Sequence, residues 1–184
     1  MLLARDKSQL LIVDVQPKLL GAISGKDRLV ERCFRLISAA KTLGVPITIS
    51  EQYPQGLGPT VELLHHALGN EGAIMEKVEF SCLKNEALRK RLHDLRRQGR
   101  SQVVVGGIEA HICVAQTAIE LEEQGFEAFV VADAIGSRAK ESRKLAIARL
   151  LKSGVDVVDS EAVLFEWLGK SGTPEFKELQ ALVK

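Results

Sequence analysis

Cysteine is scarce in this sequence, and its three occurrences form no recognisable metal or disulfide pattern. Cys33, Cys82 and Cys113 are an odd number, and their spacings match neither a zinc ribbon nor a disulfide framework. Disulfides persist in oxidising compartments, whereas free thiols are typical of the cytosol. We therefore expect three free thiols and a reducing, cytoplasmic location.

An excess of charge of one sign is also missing. The chain has 25 Lys and Arg against 24 Asp and Glu, a formal net charge of +1. The one dense basic stretch, residues 89–100, alternates with leucines, as on the solvated face of an amphipathic helix. Nucleic acid binding depends on a basic surface that releases counterions from phosphates. We therefore expect no nucleic acid partner.

Long hydrophobic runs are absent as well. The N-terminal segment carries charge at Arg5, Asp6 and Lys7 and reaches Asp14 before any long apolar run forms, so no signal peptide is expected. The longest apolar runs, such as residues 128–132, have the length of a strand and are far short of a membrane span. We expect no membrane association.

What the sequence does have is the composition of a single globular domain. Hydrophobic residues make up 46% and charged residues 27% of the 184 residues. A chain of this length buries roughly 70% of the surface that its unfolded form exposes. The sequence contains no repeat, low-complexity stretch or interdomain linker, so residues 1–184 are predicted to form one domain.

Short β-branched runs alternate with longer helical patterns along the whole chain. The predicted strands are residues 10–15, 45–50, 73–78, 101–105, 126–132 and 155–158. The predicted helices are, approximately, residues 27–43, 60–68, 84–98, 112–124, 139–152, 160–168 and 175–183. The strand runs are apolar on both faces, as in a parallel sheet covered on both sides. We predict a three-layer, doubly wound α/β fold, with a six-stranded parallel sheet and helices on both faces.

Three side chains of different chemistry stand where predicted strands end. Asp14 ends the first strand, Lys77 closes the third, and Cys113 follows the fourth at the start of a helix. Open α/β sheets bind ligands beside the carboxyl ends of their strands. Taken alone, Asp14 is also compatible with a helix N-cap, Lys77 with a solvated edge position and Cys113 with a small buried hydrophobe.

Cys113 differs from the other cysteines in its strand–turn–helix setting. Gly106 and Gly107 permit a tight turn after a strand that ends at Val105. A thiol in the first helical turn lies beside unpaired N–H groups and the positive end of the helix dipole, so we expect its pKa to fall from about 8.5 towards neutrality. The same turn offers the backbone N–H groups of Glu109 and Cys113 to a developing oxyanion.

Cofactor and metal motifs are weak or missing. The Gly-Gly turn lacks the third glycine of a dinucleotide-binding loop, and there is no P-loop. His65 and His66 are adjacent and cannot share a helix face at ligand spacing. His111 is close to Cys113 in sequence, but two positions apart at a helix start the side chains point in different directions. We expect no cofactor and no metal, and we do not favour His111 as a catalytic base.

Three segments together resemble the isochorismatase-like cysteine hydrolase superfamily. They are D-V-Q at the end of the first strand, K-V-E-F-S-C after the third, and G-G-I-E-A-H-I-C-V at the start of a helix. The loop E-Q-Y-P-Q-G-L-G-P-T and the later A-D-A-I-G-S-R are most similar to the YcaC-related branch. The resemblance covers nearly the whole chain, in order and with similar spacing.

The resemblance implies an Asp–Lys–Cys triad on a six-stranded parallel sheet. Asp14 would be the general base and acid, Lys77 the residue that polarises and orients, and Cys113 the nucleophile. It also implies a cis peptide bond between Ile108 and Glu109, which would aim the amides of Glu109 and Cys113 into an oxyanion hole.

Two departures from other members of the superfamily bear on the reaction. Its metal-binding nicotinamidases have an Asp-x-His after the second strand, whereas this chain has Gln52 where the first metal carboxylate would fall. Its isochorismate-cleaving members hydrolyse a vinyl ether by proton transfer from the aspartate and need no sulfur nucleophile. The presence of Cys113 favours hydrolysis of a small amide, imide or carbamoyl substrate through a thioester-like covalent intermediate.

Other functions are compatible with the same residues. A vinyl-ether hydrolase would depend on Asp14 and tolerate loss of Cys113, a non-catalytic binding or assembly protein would need neither, and a thiol redox sensor would need a partner such as Cys82. The loop of residues 51–60 would either shape the pocket or simply turn the chain. The side chains predicted to contact the substrate are Gln16, Gln52, Tyr53 and Phe80.

Self-association is implied by the resemblance, because members of this branch form dimers or larger rings. The candidate interface is the segment of residues 161–184, with Phe165, Trp167, Leu168 and Phe176. The alternative is that these apolar side chains close the core.

Overall fold

Six strands form the centre of the protein, which is described here from a computed structural model over residues 1–183. The strands are β1 (Ser8–Val13), β2 (Ile47–Gln52), β3 (Gly72–Lys77), β4 (Gln102–Ile108), β5 (Glu127–Gly136) and β6 (Asp156–Val158). Their order across the sheet is β3-β2-β1-β4-β5-β6, and every neighbouring pair is parallel. The prediction of a six-stranded parallel sheet is confirmed.

Helices follow nearly every strand. They are α1 (Pro17–Leu20), α2 (Lys26–Leu43), α3 (Pro54–Leu57), α4 (Glu62–Leu68), α5 (Glu86–Arg97), α6 (Ala115–Glu123), α7 (Lys140–Lys152), α8 (Ser160–Leu168) and α9 (Pro174–Gln180). A five-residue π-helical turn, Ala110–Val114, leads directly into α6. Proline at the first position starts the two short helices α1 and α3, which the sequence pattern had not predicted.

The core has two parts, one on each face of the sheet. Alternate residues of β1 supply both parts: Leu10 and Ile12 pack in a cluster with α2, α4 and α8, whereas Leu11 and Val13 pack in a cluster with α5, α6 and α7. Both faces are therefore covered, as the continuous apolar strands predict. The three-layer α/β architecture is confirmed.

The end of β4 differs from the prediction. Strand β4 continues through Gly106 and Gly107 to Ile108 and does not turn after Val105. Gly107 has φ of 114°, and a Cβ atom there would lie 2.1 Å from the carbonyl oxygen of Val13. Glycine is required because β4 and β1 approach each other too closely for a side chain. The pair of glycines thus brings two strand ends together at one point of the sheet edge.

The C-terminal segment belongs mainly to the core. Trp167 is buried, and its Nε1 donates a hydrogen bond of 2.9 Å to Ser8 Oγ. Leu168 is half-buried and packs against the same core cluster, so of these two residues the tryptophan is the one that the core encloses. Phe165 is exposed and contacts Phe176 edge to face, with 6.3 Å between the ring centroids. The predicted interface segment ends at Lys184, which lies outside the described residues.

Over residues 1–183, none of the helices combines the length and the apolar character that crossing a bilayer requires.

Candidate active site

Asp14 lies one residue beyond β1, in a backbone conformation that few residue types adopt. Its φ is 54°, in the left-handed region that aspartate visits more readily than most non-glycine residues. Its N–H donates to the carbonyl oxygen of Ser50 over 3.0 Å, and its Oδ1 accepts a hydrogen bond of 2.7 Å from Ser50 Oγ. These two contacts hold the carboxylate, which is 0% exposed, at the carboxyl edge of the sheet.

Lys77 ends β3, two strands away from β1, and its side chain reaches across β2. Its Nζ donates three hydrogen bonds: to Asp14 Oδ2 (2.7 Å), to Gln52 Oε1 (2.6 Å) and to the carbonyl oxygen of Glu79 (3.1 Å). An ammonium group has three donors, so all of them are used. The buried charge is therefore paired and fixed in one orientation.

Cys113 completes the cluster from the π-helical turn after β4. Its thiol is buried beside the Asp14–Lys77 pair, and both charges act on it. The carbonyl oxygen of Glu109 accepts from the N–H groups of Ile112 (3.0 Å) and Val114 (3.2 Å), which fixes the turn that carries the thiol. The peptide bond between Ile108 and Glu109 is cis, as the resemblance implied. Three residues from distant parts of the chain thus meet at one place.

The electrostatics of the thiol contradict the prediction made from its helical position. Burial, followed by the negative charge of Asp14, raises the pKa of Cys113 to about 12, and Lys77 only partly opposes these effects. The helix start does not compensate, because burial and the Asp14 carboxylate both favour the neutral thiol. The prediction of a depressed pKa was wrong.

Burial also raises the pKa of Asp14, although Lys77, Ser50 and Cys113 all stabilise its charged form. Burial thus raises the pKa of both neighbouring acids, and the charge of each affects the titration of the other.

Gln16, which was predicted to contact the substrate, is held by hydrogen bonds within the protein. Gln16 is fully buried, its Oε1 accepts from the Gln52 N–H (2.8 Å), and its Nε2 donates to the carbonyl oxygens of Gln52 (3.0 Å) and Gly58 (2.6 Å). It ties the loop after β2 to the end of β1. Contact of Gln16 with the substrate stays a prediction.

Gln52 is likewise occupied by neighbouring groups of the protein. Its Oε1 accepts from Lys77, and its Nε2 donates to the carbonyl oxygen of Val78 over 2.8 Å. It orients the lysine, and its contact with the substrate stays a prediction. An amide that is already committed to an ammonium group does not fit a metal carboxylate position. Among residues 1–183, no group of three potential His, Cys, Asp or Glu ligands converges.

Tyr53 and Phe80 are the two predicted pocket residues that the structure leaves exposed. Tyr53 is 54% exposed and Phe80 57% exposed. The N–H of Tyr53 donates to the carbonyl oxygen of Lys77 over 2.9 Å, so the tyrosine is attached to the strand that carries the lysine. A shallow cavity of about 190 Å³ lies there, lined by Tyr53, Lys77, Val78 and Asn85 among others.

Sequence reasoning missed several residues that shape the site. Ser50 is one, although a polar residue at the end of a buried strand was a usable signal. The side chain of Glu109 is another, since only its backbone N–H was predicted to take part: its carboxylate accepts from the Arg138 Nη2 (2.6 Å) and backbone N–H (2.9 Å), and Arg138 lowers the pKa of this carboxyl group. Cys82, predicted as a small buried hydrophobe, is buried and also hydrogen-bonds Ser50.

His111 points away from the cluster, as predicted. Its Nδ1 lies 2.9 Å from the hydroxyl of Ser137, which follows β5. The imidazole therefore stabilises the junction between the π-helical turn and β5.

Comparison with known proteins gives a consistent family signal. The isochorismatase domain matches residues 8–162. Isochorismatase domain-containing protein 2 of Pongo abelii is 40% identical over 178 residues, which cover 96% of this chain and 83% of that protein. Isochorismatase domain-containing protein 1 of Salmo salar is 36% identical over 93% of this chain, but the match spans only 59% of that longer protein.

Solved structures share the whole fold. The MAR1 ribonuclease of Caenorhabditis elegans has a TM-score of 0.92 at 34% identity, with 100% of this chain and 92% of that chain covered. The YcaC gene product of Escherichia coli, an octameric hydrolase of unknown specificity, has a TM-score of 0.90 at 24% identity, with 99% and 90% covered. At that identity the likeness to YcaC is one of fold alone.

Proposed function

This chain belongs to the isochorismatase domain family, and on that premise we propose that it is a metal-independent cysteine hydrolase that cleaves a C–N bond in a small amide, imide or carbamoyl compound. The observation that carries the proposal is the single buried cluster of thiol, carboxylate and ammonium groups formed by Cys113, Asp14 and Lys77. These are the components of nucleophilic catalysis with an internal base.

The first step is proton transfer within the cluster. Asp14 takes the proton of Cys113, which gives a thiolate, a neutral carboxylic acid and the unchanged ammonium of Lys77. The net charge of the cluster is zero before and after the transfer, so the transfer does not create a buried net charge, which would be unfavourable. Lys77 then stabilises the new thiolate in place of the carboxylate.

Covalent bond formation follows. The thiolate attacks the carbonyl carbon of the substrate, and the negative charge moves to the carbonyl oxygen, where the backbone N–H groups of Glu109 and Cys113 would stabilise it. When the C–N bond breaks, Asp14 returns its proton to the leaving nitrogen. The products of this half-reaction are an amine or ammonia and a thioester on Cys113.

Water completes the cycle. Asp14, again a carboxylate, removes a proton from a water molecule that attacks the thioester carbon, and the thiol leaves with that proton. The acid is released, and the cluster returns to its starting protonation state.

The accessibility of the three groups favours this order of events over a vinyl-ether hydrolysis. Asp14 is 0% exposed, whereas Cys113 is 7% exposed, so Cys113 is the more accessible of the two residues. In a vinyl-ether hydrolysis Asp14 would react with the substrate first, whereas here it acts on the leaving nitrogen only after Cys113 has attacked. Tyr53 and Phe80, exposed on the residues after β2 and β3, are the proposed apolar contacts of the substrate.

The decisive experiment is a screen of small amides, imides and carbamoyl compounds against the wild type and Cys113→Ala. We expect turnover by the wild type to fall at least about 1000-fold in Cys113→Ala, with an unchanged circular dichroism spectrum. Intact-mass measurement during turnover should detect the acyl adduct on the wild type. Cys33→Ala is the matched control, because it removes a buried thiol that lies outside the cluster, and it should retain activity.

Other outcomes separate the alternative functions. Loss of activity in Asp14→Ala with full activity in Cys113→Ala would indicate vinyl-ether chemistry. Activity of Cys113→Ala equal to that of the wild type on a C–N substrate would exclude the covalent mechanism. Turnover of no compound, together with no labelling of Cys113 by iodoacetamide, would favour a non-catalytic role.

Self-association is part of the proposal. The exposed apolar side chains Tyr53, Val78 and Phe80 lie on the segments that follow β2 and β3, where a second copy of the chain would shield them from water. We expect a homo-oligomer in light scattering at micromolar concentration. A monomer under those conditions would contradict this part of the proposal.

A further inference from the structure

A second cavity lies at the same edge of the sheet but beside a different strand. It has a volume of about 460 Å³ and is bordered by the end of β5 and by the first turns of α2 and α7. Four cationic side chains line it: Arg28, Lys140, Arg143 and Lys144. None of the triad residues is part of its lining.

The positive charge in this cavity is not neutralised by the protein. Within residues 1–183, none of the four cationic side chains forms an ion pair. The one acidic lining residue, Asp133, is engaged elsewhere: its Oδ1 and Oδ2 accept from the Ser160 N–H (2.8 Å) and hydroxyl (2.6 Å), and Arg32 Nε lies 3.1 Å from Oδ2. The four cations therefore outnumber the single lining carboxylate, which pairs with Arg32 and not with them.

One of the four cationic side chains is held in place by the protein before a ligand binds. The Arg143 side chain is held by backbone carbonyl groups, with Nε donating to Ile135 over 3.1 Å and Nη2 to Ala132. Fixing a guanidinium in advance lowers the entropic cost of binding an anion. Neither α2 nor α7 has a side-chain cap, and the acidic residues of their first turns, Asp27 and Glu141, are not part of the cavity lining.

We propose that this cavity binds a small ligand with two or more phosphate-type negative charges. Arginine matches the geometry of phosphate oxygens, and lysine adds point charge. The volume of about 460 Å³ is in the range of small-molecule sites. A concave site between two helix starts fits a compact anion better than a long polymer. This site is separate from the proposed catalytic cluster.

The cavity nevertheless borders on the turn that carries the thiol. Ser137 is one of its lining residues, and the Ser137 hydroxyl hydrogen-bonds His111, two residues before Cys113. A bound anion would therefore lie against the outer side of that turn, next to the catalytic cluster but not in it.

The test is calorimetric titration of the full chain with inorganic pyrophosphate at low ionic strength. We expect saturable binding at one site per chain that weakens as sodium chloride is added. In Lys140→Gln/Lys144→Gln the affinity should fall at least about tenfold, because charged donors are lost. The matched control is Arg149→Gln/Lys152→Gln, which removes two charges from the other end of α7 and should change the affinity less than about twofold.

Several results would overturn the proposal. They are no saturable binding by the wild type, an equal loss in both double variants, or binding of a short single-stranded RNA without any binding of pyrophosphate. Cys113→Ala should bind pyrophosphate like the wild type. Failure of the hydrolase proposal and failure of the anion site can therefore be recognised separately.

Discussion

Two groups of charged side chains lie along the same edge of the sheet and are organised in opposite ways. The cluster of Asp14, Lys77 and Cys113 is buried, and its charges cancel. The cavity beside β5 is open to solvent, and its four cations have no acidic partner within the described residues. The charges of the first group are paired with each other, whereas those of the second group are available to a ligand.

The difference follows from the cost of removing a charge from water. A buried charge must be paired and hydrogen-bonded, and the three donors of Lys77 Nζ all find acceptors. Such a cluster is rigid and can exchange a proton internally, which suits covalent chemistry. Solvated cations need no partner and remain available, which suits binding. The following predictions test this contrast.

The largest effect, on the free energy of unfolding, is expected when the buried Asp14–Lys77 ion pair loses one partner. Lys77→Met leaves the Asp14 carboxylate in the interior without a counter-charge, so the free energy of unfolding should fall by about 3–5 kcal/mol. Urea denaturation at pH 7 measures it. In Lys77→Met/Asp14→Leu most of the loss should be recovered, because no unpaired charge is left behind. If Lys77→Met is as stable as the wild type, the pair does not carry the charges assigned to it.

The next effect concerns the reactivity of the thiol. The Asp14 charge raises the pKa of Cys113, whereas Lys77 lowers it. Asp14→Asn should therefore lower that pKa and accelerate alkylation by iodoacetamide at pH 8 by about tenfold for each pKa unit, although turnover is lost. Lys77→Gln should slow alkylation. Peptide mass spectrometry measures both rates, with Cys33 as internal reference, and slower alkylation in Asp14→Asn would contradict the assignment.

Alkaline pH is expected to have a smaller effect on the free energy of unfolding. The pKa of the Cys113 thiol is about 12 in the folded state against an ordinary value of 9.0, so the unfolded chain releases the thiol proton first as the pH rises. The stabilisation is complete below pH 9 and is lost as the pH rises towards 12. Between pH 8 and pH 10 this group should cost the fold about 1 kcal/mol.

The matched measurement is the difference in unfolding free energy between the wild type and Cys113→Ala at both pH values. Other groups that titrate in this range cancel in the difference. A difference that does not change with pH would show that the thiol is not desolvated.

The smallest effect on stability is expected from substitutions in the open cavity beside β5. Lys140→Gln/Lys144→Gln should change the free energy of unfolding by less than about 0.5 kcal/mol for each substitution, because both lysines are exposed. Urea denaturation at low salt measures it. A loss above about 2 kcal/mol would show that these lysines support the fold and are not reserved for a ligand.

The strand pattern predicted most of the architecture, because strands buried on both faces read as continuous apolar runs. The least accurate boundary was the end of β4, where Gly106 and Gly107 looked like a turn. Gly107 is instead a strand residue whose missing side chain makes room for Val13. A glycine required for close approach and a glycine required for a turn look the same in sequence, and only the packing distinguishes them.

The location of the site could be predicted from the sequence, but the roles of some of its residues could not. The positions of Asp14, Lys77 and Cys113 at strand ends could be inferred from the chain, since parallel strands present these ends at one edge. The roles of Gln16 and Gln52 could not, because they depend on hydrogen bonds between the residues after β1 and β2.

What the sequence determined by itself is the order of strands and helices and the three chemically distinct residues at the sheet edge. Apolar periodicity and glycine placement act locally, so they can be read along the chain. The tertiary structure alone decided that burial and the Asp14 carboxylate raise the pKa of the Cys113 thiol and that four cations without an ion-pair partner among residues 1–183 line one cavity beside β5. Charge interactions depend on distance in space and on burial, and neither quantity is encoded at any single position of the sequence.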